Sequence, residues 1–375
     1  MDIFVEPHLA ELDGQFAALL DDPEVAAIIR RSGLTPRGAG PDAGPAAGEM
    51  RETVQAALVD LGASTLLLPE RHGGRDLGQQ GAVVLAERLG RVLYQGPLPD
   101  TLTATDLAVR VGAAAEELLT RIAGGGTVSL AVREHAESPS DPAPARFDEE
   151  AGTVTAVRRF VVADAGHLLV VGRDGGGLRA ALVDRDDPTV RLRPHDDVGR
   201  GRLCAVRMDG TPVLPPSLPA AAVTAAWPGV LAAARVRHAA YLVGLGQAAL
   251  DLAVGYARSR RQFGRPIGRF QAPAFGLAEL ATRLEATRWL VRATAWECDS
   301  GEDIRLGSRQ ALAMAADVAA AATLGTMQVH GAYGTTEDSD AQLFYRRAAI
   351  ERVWLGTPTE LRAEAVPLLR SRVEV

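Results

Sequence analysis

The stretch Gly255–Gln271, GYARSRRQFGRPIGRFQ, predicts a helix that ends in a tight basic turn before a second helix begins near Phe270. Three arginines crowd one turn at the end of an apolar-periodic run, namely Arg258, Arg260 and Arg261. An arginine guanidinium suits phosphate because two of its N–H groups can donate in parallel. The residue types leave two interpretations open: a phosphate-binding turn in which Phe263 stacks on a ring, or a basic helix end that favours the helix dipole.

The chain after Ala221 is predicted to be helical almost to its end. Its long, periodic and alanine-rich segments are Ala222–Tyr256, Phe270–Cys298, Ile304–Gln328 and Ala341–Ala349. Long helices with small residues pack closely against one another. The pattern therefore predicts a C-terminal four-helix bundle.

The N-terminal third also has helical periodicity. The helical spacing of apolar residues predicts an amphipathic helix over residues 1–30, with Leu9, Leu12, Phe16, Leu19 and Leu20 on its apolar face. Glu49–Leu61 and Asp100–Ala123 are predicted to be helical as well. Pro36–Gly48 is rich in Gly, Pro and Ala, which is typical of a loop. These segments predict a helical domain at residues 1–126.

The middle of the chain changes period. Short β-branched runs, separated by Gly, Asp and Pro, are predicted as strands: SLAV, GTVTAV, RRFVVA, HLLVVG, LRAALV, VRLRP and RLCAVRM. The stretch LPPSLPA, residues 214–220, is interpreted as a domain boundary. The prediction is an α+β multidomain chain with a helical domain at 1–126, an antiparallel β domain at 127–220 and a helical bundle at 221–375.

Composition excludes several classes of protein. The net charge is −7, and arginine is the only basic residue besides histidine. The chain therefore lacks the excess of positive charge that is typical of nucleic-acid-binding proteins. Two distant cysteines, Cys204 and Cys298, indicate a reducing compartment rather than a disulfide framework. We find no signal peptide, no apolar run of membrane length and no metal-ligand pattern. The expectation is a cytoplasmic protein.

Three stretches in order carry a specific resemblance. Tyr256–Gln271 resembles the flavin-contacting helix and turn of the acyl-CoA dehydrogenase family. MQVHGAYGTTED at Met327–Asp338 and YRRAAIERVWLGTPTE at Tyr345–Glu360 resemble two later motifs of the same family. The resemblance covers the C-terminal region well, the N-terminal third fairly and the middle poorly. It implies a helical domain, a β domain and a four-helix bundle, in the order that periodicity predicts.

The resemblance implies FAD-dependent α,β-dehydrogenation of an acyl-CoA. A family glutamate removes the proton next to the thioester while a hydride passes to the flavin. The family places this glutamate in one of two positions, and here Leu355 and Ala234 occupy them. Neither side chain accepts a proton, so the resemblance implies no catalytic base in this chain. Arg235, which follows Ala234, is the one residue of the substrate pocket that matches.

Other titratable residues lie near these two positions in sequence. They are His238, His330, Glu337, Asp338, Glu351 and Glu360. Each is a candidate for a substitute base, and for each a structural or solvated role is the competing interpretation.

The family's flavin site is split between subunits, and the two halves match differently. The half donated to a neighbour is kept: Arg260 matches the pyrophosphate ligand, Phe263 the aromatic against the flavin, and Gln328 the glutamine whose neighbours cap the adenine end. Gly331 matches the first of two family glycines, which lets the backbone approach phosphate. Further matches are Gln262, Gln271, Thr357 and Ala332, where Ala332 replaces a second glycine. In the receiving half, REHAESPSD at Arg133–Asp141 lacks the family's glycines, and Val162 lacks the hydroxyl of the family threonine.

This asymmetry predicts one half of a heteromeric enzyme. The chain would assemble through its long C-terminal helices with a second acyl-CoA dehydrogenase-like subunit, as an α2β2 heterotetramer. It would contribute half of an FAD site for dehydrogenation of a catabolic acyl-CoA, such as a steroid side chain in lipid metabolism. Electron-transfer flavoprotein or a similar acceptor would then take the electrons.

Three alternatives stay open. A repurposed homo-oligomer would catalyse a dehydration, isomerisation or cyclisation in a biosynthetic pathway, with Glu134, His135 and Glu137 as candidate acids in what is otherwise a solvated loop. A second alternative is a scaffold that only stabilises its partner. The third is a homomeric flavoenzyme with oxygen chemistry.

Overall fold

A computed structural model describes residues 7–32, 49–134, 138–162, 164–196, 198–199 and 203–373. The predicted loop at 36–48 lies outside these residues. The chain divides into two compact units. The C-terminal unit contains Met1–Leu20, Val83–Tyr94 and Arg235–Val375, and the β-sheet unit contains Asp21–Ala82 and Gln95–Ala234. The predicted division at 126 and 220 stays a prediction.

The helices begin and end as follows: α1 Pro7–Leu20, α2 Pro23–Ser32, α3 Ala56–Asp60 after a π-helical turn at Met50–Gln55, α4 Gly78–Arg91, α5 Leu98–Val111, α6 Glu116–Ala123, α7 Ala220–Ser259, α8 Gln271–Asp299, α9 Arg305–His330, α10 Asp340–Glu351 and α11 Pro358–Val373. The predicted helices of the C-terminal region are all present, and α11 follows them as a further helix.

The predicted single helix over residues 1–30 is wrong: two helices occupy this segment. The first ends at Leu20, and Asp22 starts the second, because its Oδ1 accepts hydrogen bonds from the backbone N–H groups of Glu24 at 2.8 Å and Val25 at 3.1 Å. Pro23 then occupies the first helical position, where its missing N–H is tolerated. Aspartate followed by proline is thus a start signal inside an apolar-periodic run.

The strands of the β-sheet unit are β1 Val128–Ala131, β2 Arg146–Asp148, β3 Thr153–Val162, β4 His167–Asp174, β5 Gly177–Asp184, β6 Val190–Pro194, β7 Leu203–Pro212 and β8 Leu214–Leu218. They form two four-stranded sheets, in the orders β1-β4-β5-β8 and β2-β3-β7-β6. Pairing is antiparallel except between β1 and β4.

Three strand predictions need correction. GTVTAV and RRFVVA form one strand, β3. The pairing register of β3 with β7 shifts between Arg158 and Val161, and the strand continues past this shift. LPPSLPA is not only a boundary, because β8 at its start pairs with β5 at a sheet edge, where proline is tolerated. Strand β2 was not predicted, since its three residues are too short for a periodic signal.

The core of the β-sheet unit has two parts. One lies between the sheets and is built from inward residues such as Val154, Leu168 and Val206. The other packs α5 and α6 residues, including Leu107 and Leu119, with Trp227 and the strands. In the C-terminal unit, α7, α8 and α9 meet at a cluster of Leu250, Leu284, Val318 and Ala322.

Two helical stretches, Ala220–Ser259 and Arg305–Thr335, are long and apolar enough to cross a membrane by length and composition. Neither stretch is an uninterrupted apolar run of that length, since Arg235 and Arg237 interrupt the first and Asp317 the second. In their most apolar windows, 61% and 50% of the residues are buried inside the protein. Core helices pass the same test, so the observation is weak support for a span.

Candidate functional site

The basic turn is a hairpin whose tip is an exposed aromatic residue. Strands β9 Arg261–Gln262 and β10 Arg265–Pro266 pair in antiparallel register. Phe263 and Gly264 between them both have positive φ, 50° and 75°, as in two-residue type I′ turns. Positive φ is uncommon outside glycine, yet the Phe263 side chain is 91% exposed. Backbone strain that holds an aromatic ring in solvent is typical of a binding element.

Arg260 sits at the base of this hairpin with its guanidinium available. The residue is exposed, and within the described part of the chain no hydrogen bond or ion pair engages its side chain. By contrast, the Arg265 guanidinium lies 4.1 Å from the ring centroid of Phe270. The exposed side chains of Gln262 and Gln271 flank the same turn.

The second motif packs against the first. Helix α9 ends at His330, and Gly331 follows with φ of 60°, which a residue with a Cβ adopts poorly. The rings of Tyr256 and His330 stack with centroids 4.2 Å apart. The structure therefore brings together the hairpin and the exposed residues Gln328, Gly331 and Ala332.

The third motif holds the vacated base position. The carbonyl of half-buried Leu355 accepts a hydrogen bond from Nε of Arg235 at 3.0 Å. Arg235 is buried, and its guanidinium donates to Glu364 Oε2 at 3.0 Å. Arg309 donates to the same oxygen at 2.9 Å. Arg235 thus holds the loop at Leu355, and its contact with a substrate stays a prediction.

Burial and a neighbouring carboxylate act on the pKa of Arg235 in opposite directions. Desolvation lowers the pKa of Arg235 from its usual value, while the Glu364 carboxylate opposes that shift. An arginine pKa starts high enough that the guanidinium stays charged at neutral pH.

Sequence reasoning missed Glu364 and Arg309, because neither lies in one of the matched motifs.

Thr357 has a structural role at the start of α11. Its backbone N–H and its hydroxyl both donate to Glu360 Oε2 at 2.8 Å, and the Glu360 N–H donates back to Thr357 Oγ1 at 3.2 Å. This reciprocal arrangement is a capping box, and it starts α11. Contact between Thr357 and a cofactor stays a prediction, and Glu360 is engaged in the cap.

The other candidate bases are distributed unequally. His238 and Glu351 are in contact, with His238 Nε2 2.7 Å from the Glu351 carbonyl oxygen. The buried His330 donates through Nδ1 to the Thr326 carbonyl at 2.8 Å. Glu337 and Asp338 are exposed. The structure brings together one pair of these six residues.

The β-sheet unit carries the predicted ring-binding side. Phe160 lies in the irregularity of β3 with φ of 58°, and its ring stacks on His195 at a centroid distance of 5.3 Å. Val162, at the end of β3, is half-buried and has no hydroxyl. Of the candidate acids in REHAE, Glu134 is described, whereas His135 and Glu137 lie outside the described residues.

Two further features bear on ligands. Cys204 and Cys298 form no disulfide, and the described residues contain no cluster of His, Cys, Asp or Glu that fits a metal ion. A cavity of about 400 Å³ in the β-sheet unit is lined by residues that include Thr127 and Arg185. None of the predicted site residues lines that cavity, so it does not contribute to the site.

Comparison with known proteins gives consistent matches. The family model for the acyl-CoA dehydrogenase C-terminal domain matches residues 225–364. Acyl-CoA dehydrogenase IpdE2 of Mycobacterium tuberculosis is 30% identical over 302 residues, which cover 80% of this chain and 81% of that protein. The 3-(aryl)acrylate reductase of Clostridium sporogenes is 38% identical over 127 residues, which span only 34% of either chain.

Solved structures share the fold. The ChsE4–ChsE5 complex from Mycobacterium tuberculosis contains a chain with a TM-score of 0.83 and 21% identity, and the alignment covers 99% of both chains. Identity this low shows the fold alone. The predicted α+β fold class, with helical regions on either side of a largely antiparallel β region, is thereby confirmed.

Proposed function

Because the chain belongs to the acyl-CoA dehydrogenase family, we propose that it is one subunit of a heteromeric acyl-CoA dehydrogenase. It contributes the arginine–glutamine half of an FAD site, and a second subunit of the same fold carries the ring pocket and the base. The substrate class is a catabolic acyl-CoA, such as a steroid side chain, with electron-transfer flavoprotein or a similar protein as acceptor. The assembly is an α2β2 heterotetramer.

The observation that carries the proposal is the surface on which the donated residues lie. Arg260, Phe263 and Gln328 are all exposed, and their side chains make no hydrogen bond within the described part of the chain. An exposed guanidinium and an exposed amide, beside a strained turn that presents an aromatic ring, suit a phosphate-containing ligand. Such a ligand would be held on a neighbouring subunit.

These residues fit one part of FAD. Arg260 would bind the pyrophosphate, Gln328 would lie at the adenine end, and Phe263 would pack against the ring system. The backbone at Gly331 would approach phosphate. FAD, when bound, supplies the hydride acceptor. On the receiving side the fit is poor, because Val162 offers no hydroxyl, and the vacated positions Leu355 and Ala234 offer no base.

Apolar residues on two long helices support assembly. In α8 the Phe275 side chain is 67% exposed, and in α9 the Leu324 side chain is 58% exposed. Exposed side chains of this size on the long helices are candidates for contact with a partner subunit. A partner of the same fold is supported by the structural similarity to the ChsE4–ChsE5 complex, in which two different chains are assembled.

Co-expression tests the proposal directly. The chain is produced together with an adjacent dehydrogenase-like gene, and the purified material is examined by visible absorption and light scattering. A yellow heterotetramer is expected, while the chain produced alone is expected to be colourless. Two colourless proteins that purify separately would refute the heteromeric assignment.

The variant Arg260→Ala is expected to weaken FAD retention by the complex about 10- to 100-fold. The reason is loss of a charge-assisted hydrogen bond to phosphate, a contact that contributes about 1.5–3 kcal/mol. Retention is measured as the flavin lost during dilution and ultrafiltration. Arg191→Ala is the control, because Arg191 is an exposed arginine of β6. Equal flavin loss in both variants would favour the scaffold interpretation.

The variant Leu355→Glu separates the proposal from the homomeric alternatives. If another subunit supplies ring pocket and base, restoring a carboxylate here adds no dehydrogenase activity, and no change is the expected result. If this chain's own site were catalytic, a restored base would raise the rate by about 10²–10⁴. Leu355→Gln is the matched control, and the assay follows reduction of an artificial electron acceptor.

A further inference from the structure

Four arginines lie together on the outward face of the sheet β2-β3-β7-β6, and we call them the arginine face. They alternate with core residues of the same strands, such as Leu192 and Val206. Its members, all exposed, are Arg159 of β3, Arg191 and Arg193 of β6, and Arg207 of β7. A chain whose net charge is −7 thus concentrates positive charge on one sheet surface.

The pairing of the strands arranges these side chains in two rows. Arg191 pairs with Arg207, directly across from it on the neighbouring strand. Arg193 pairs with Ala205, and Arg159 stands on the other side of β7 from Arg193. Neighbouring strands lie about 4.8 Å apart, so the arginines of β6 and β3 start from backbone positions about 10 Å apart. The small side chain of Ala205 leaves the space between them open.

The chain itself does not neutralise this charge. Like charges directly opposite on neighbouring strands destabilise a sheet, as Arg191 and Arg207 do. In the part of the chain that the structure describes, no hydrogen bond or ion pair engages the side chains of Arg159, Arg191 and Arg193. Arg207 has Asp209 at 3.7 Å, but these side chains are 64% and 68% exposed, so the pair contributes little.

Protection of a sheet edge explains only part of the arrangement. Charged side chains on an edge strand discourage pairing with another chain, and β6 is an edge strand. Arg159 and Arg207, however, lie on the central strands β3 and β7, which are paired on both sides. Phe160, next to Arg159, is 38% exposed and has φ of 58°. Backbone strain of this kind is concentrated at functional surfaces.

We propose that the arginine face docks an acidic helix of a partner protein. A guanidinium binds a carboxylate through two parallel N–H donors, and clusters of arginine recognise acidic segments in this way. Carboxylates one and two turns apart on a helix stand about 6 Å and about 10 Å apart. These spacings match the separation of the two rows along the strands and the distance across β7. An extended polyanion, such as a nucleic acid or a membrane, would also meet the rest of an acidic chain.

Binding of designed helical peptides to the full chain tests the inference, which involves neither flavin nor acyl-CoA. One alanine-rich peptide carries glutamates at i, i+4, i+7 and i+11, which form one stripe, and a second has the same composition with the glutamates spread around the helix. Fluorescence anisotropy measures their binding at about 50 mM and about 500 mM NaCl. The informative variant is Arg191→Glu/Arg193→Glu. Its matched control is Arg71→Glu/Arg370→Glu, which changes the charge equally at two other exposed positions.

The striped peptide is expected to bind the wild-type chain and the control variant more tightly than the scattered peptide does. Binding is expected to weaken about 10-fold or more in Arg191→Glu/Arg193→Glu, and also at the higher salt concentration. Arg191→Gln/Arg193→Gln, which removes the charges without reversing them, is expected to lose about 3-fold. The urea midpoint of the glutamate variant is expected at or above that of the wild type, because a glutamate opposite Arg207 replaces repulsion by attraction.

Three results would overturn the inference: equal affinity for the two peptides, an equal loss in the control variant, or no binding of the striped peptide at the lower salt concentration. Phosphatidylglycerol vesicles are tested in parallel by co-sedimentation. Sedimentation of the wild-type chain with vesicles that is lost in Arg191→Glu/Arg193→Glu would assign the arginine face to a membrane instead.

Discussion

Replacing Gly244 by alanine is expected to destabilise the protein by about 3 kcal/mol or more. Gly244 lies in α7, where a Cβ would stand 1.9 Å from the backbone carbonyl oxygen of Glu87 in α4. Real Cβ atoms do not approach an oxygen so closely, and a backbone carbonyl cannot rotate away as a side chain does. The two helices would have to separate along their contact.

The crossing is reciprocal, which makes the effect testable by a double-mutant cycle. A Cβ on Gly90 of α4 would stand 1.9 Å from the Tyr241 carbonyl oxygen of α7. Each glycine thus admits the backbone of the opposite helix. Gly90→Ala is expected to cost about as much as Gly244→Ala, and the double variant less than the sum, because the first separation already relieves part of the second clash.

Gly255→Ala is the matched control, since it lies in the same helix and a Cβ there would meet nothing within 4 Å. At that site alanine is expected to be neutral or to stabilise the helix by up to about 1 kcal/mol. Urea unfolding followed by circular dichroism measures the stability of the four variants and the wild type. A midpoint for Gly244→Ala equal to that of Gly255→Ala would show that the helices have room to move apart.

The crossing also illustrates what the sequence could not predict. Periodicity predicted long helices that pack through small residues, but many alanines and glycines in α7 meet that description. Which of them faces another backbone depends on a helix far away in the sequence, so Gly90 and Gly244 could not be singled out. The helix ends were easier, because Asp22-Pro23 and the Thr-x-x-Glu pattern at Thr357–Glu360 are local capping signals.

Three motifs in the sequence predicted which segments form the candidate site. The basic turn, the stretch around Gln328 and the loop at Leu355 were all recognised from sequence. Their physical links were not, since the Tyr256–His330 stack and the Arg235–Leu355 hydrogen bond join residues far apart in the chain. The contact between His238 and Glu351 likewise joins residues that spacing alone does not bring together.

The second large effect is expected in the β-sheet unit, at Arg158. Alternation along β3 places Val154, Ala156 and Arg158 on the inward face, although arginine is rarely buried completely. Its guanidinium is accommodated because backbone carbonyls surround it: those of Ala131, Ala143, Pro144, Val157 and Val171 accept its hydrogen bonds at 2.8–3.3 Å. One side chain therefore joins β1, β3, β4 and the segment before β2.

Arg158→Met is expected to destabilise the protein by about 3–5 kcal/mol. Methionine fills much of the volume but donates nothing, so several buried carbonyls lose their partner at once. Arg158→Lys is expected to cost less, about 1–3 kcal/mol, because one ammonium group reaches only some of these oxygens. Arg159→Met, at the exposed neighbouring position of the same strand, is expected to stay within about 0.5 kcal/mol of the wild type.

A glycine beside the guanidinium gives an independent check by denaturant unfolding. A Cβ on Gly172 would lie 2.7 Å from the Arg158 terminal nitrogen and 2.6 Å from the Ala145 Cβ. Gly172→Ala is therefore destabilising in the wild type, and less so in Arg158→Met, whose flexible thioether can move aside. Equal costs in both backgrounds, or an Arg158→Met protein as stable as Arg159→Met, would mean that water satisfies the carbonyls and the guanidinium does not hold the sheets.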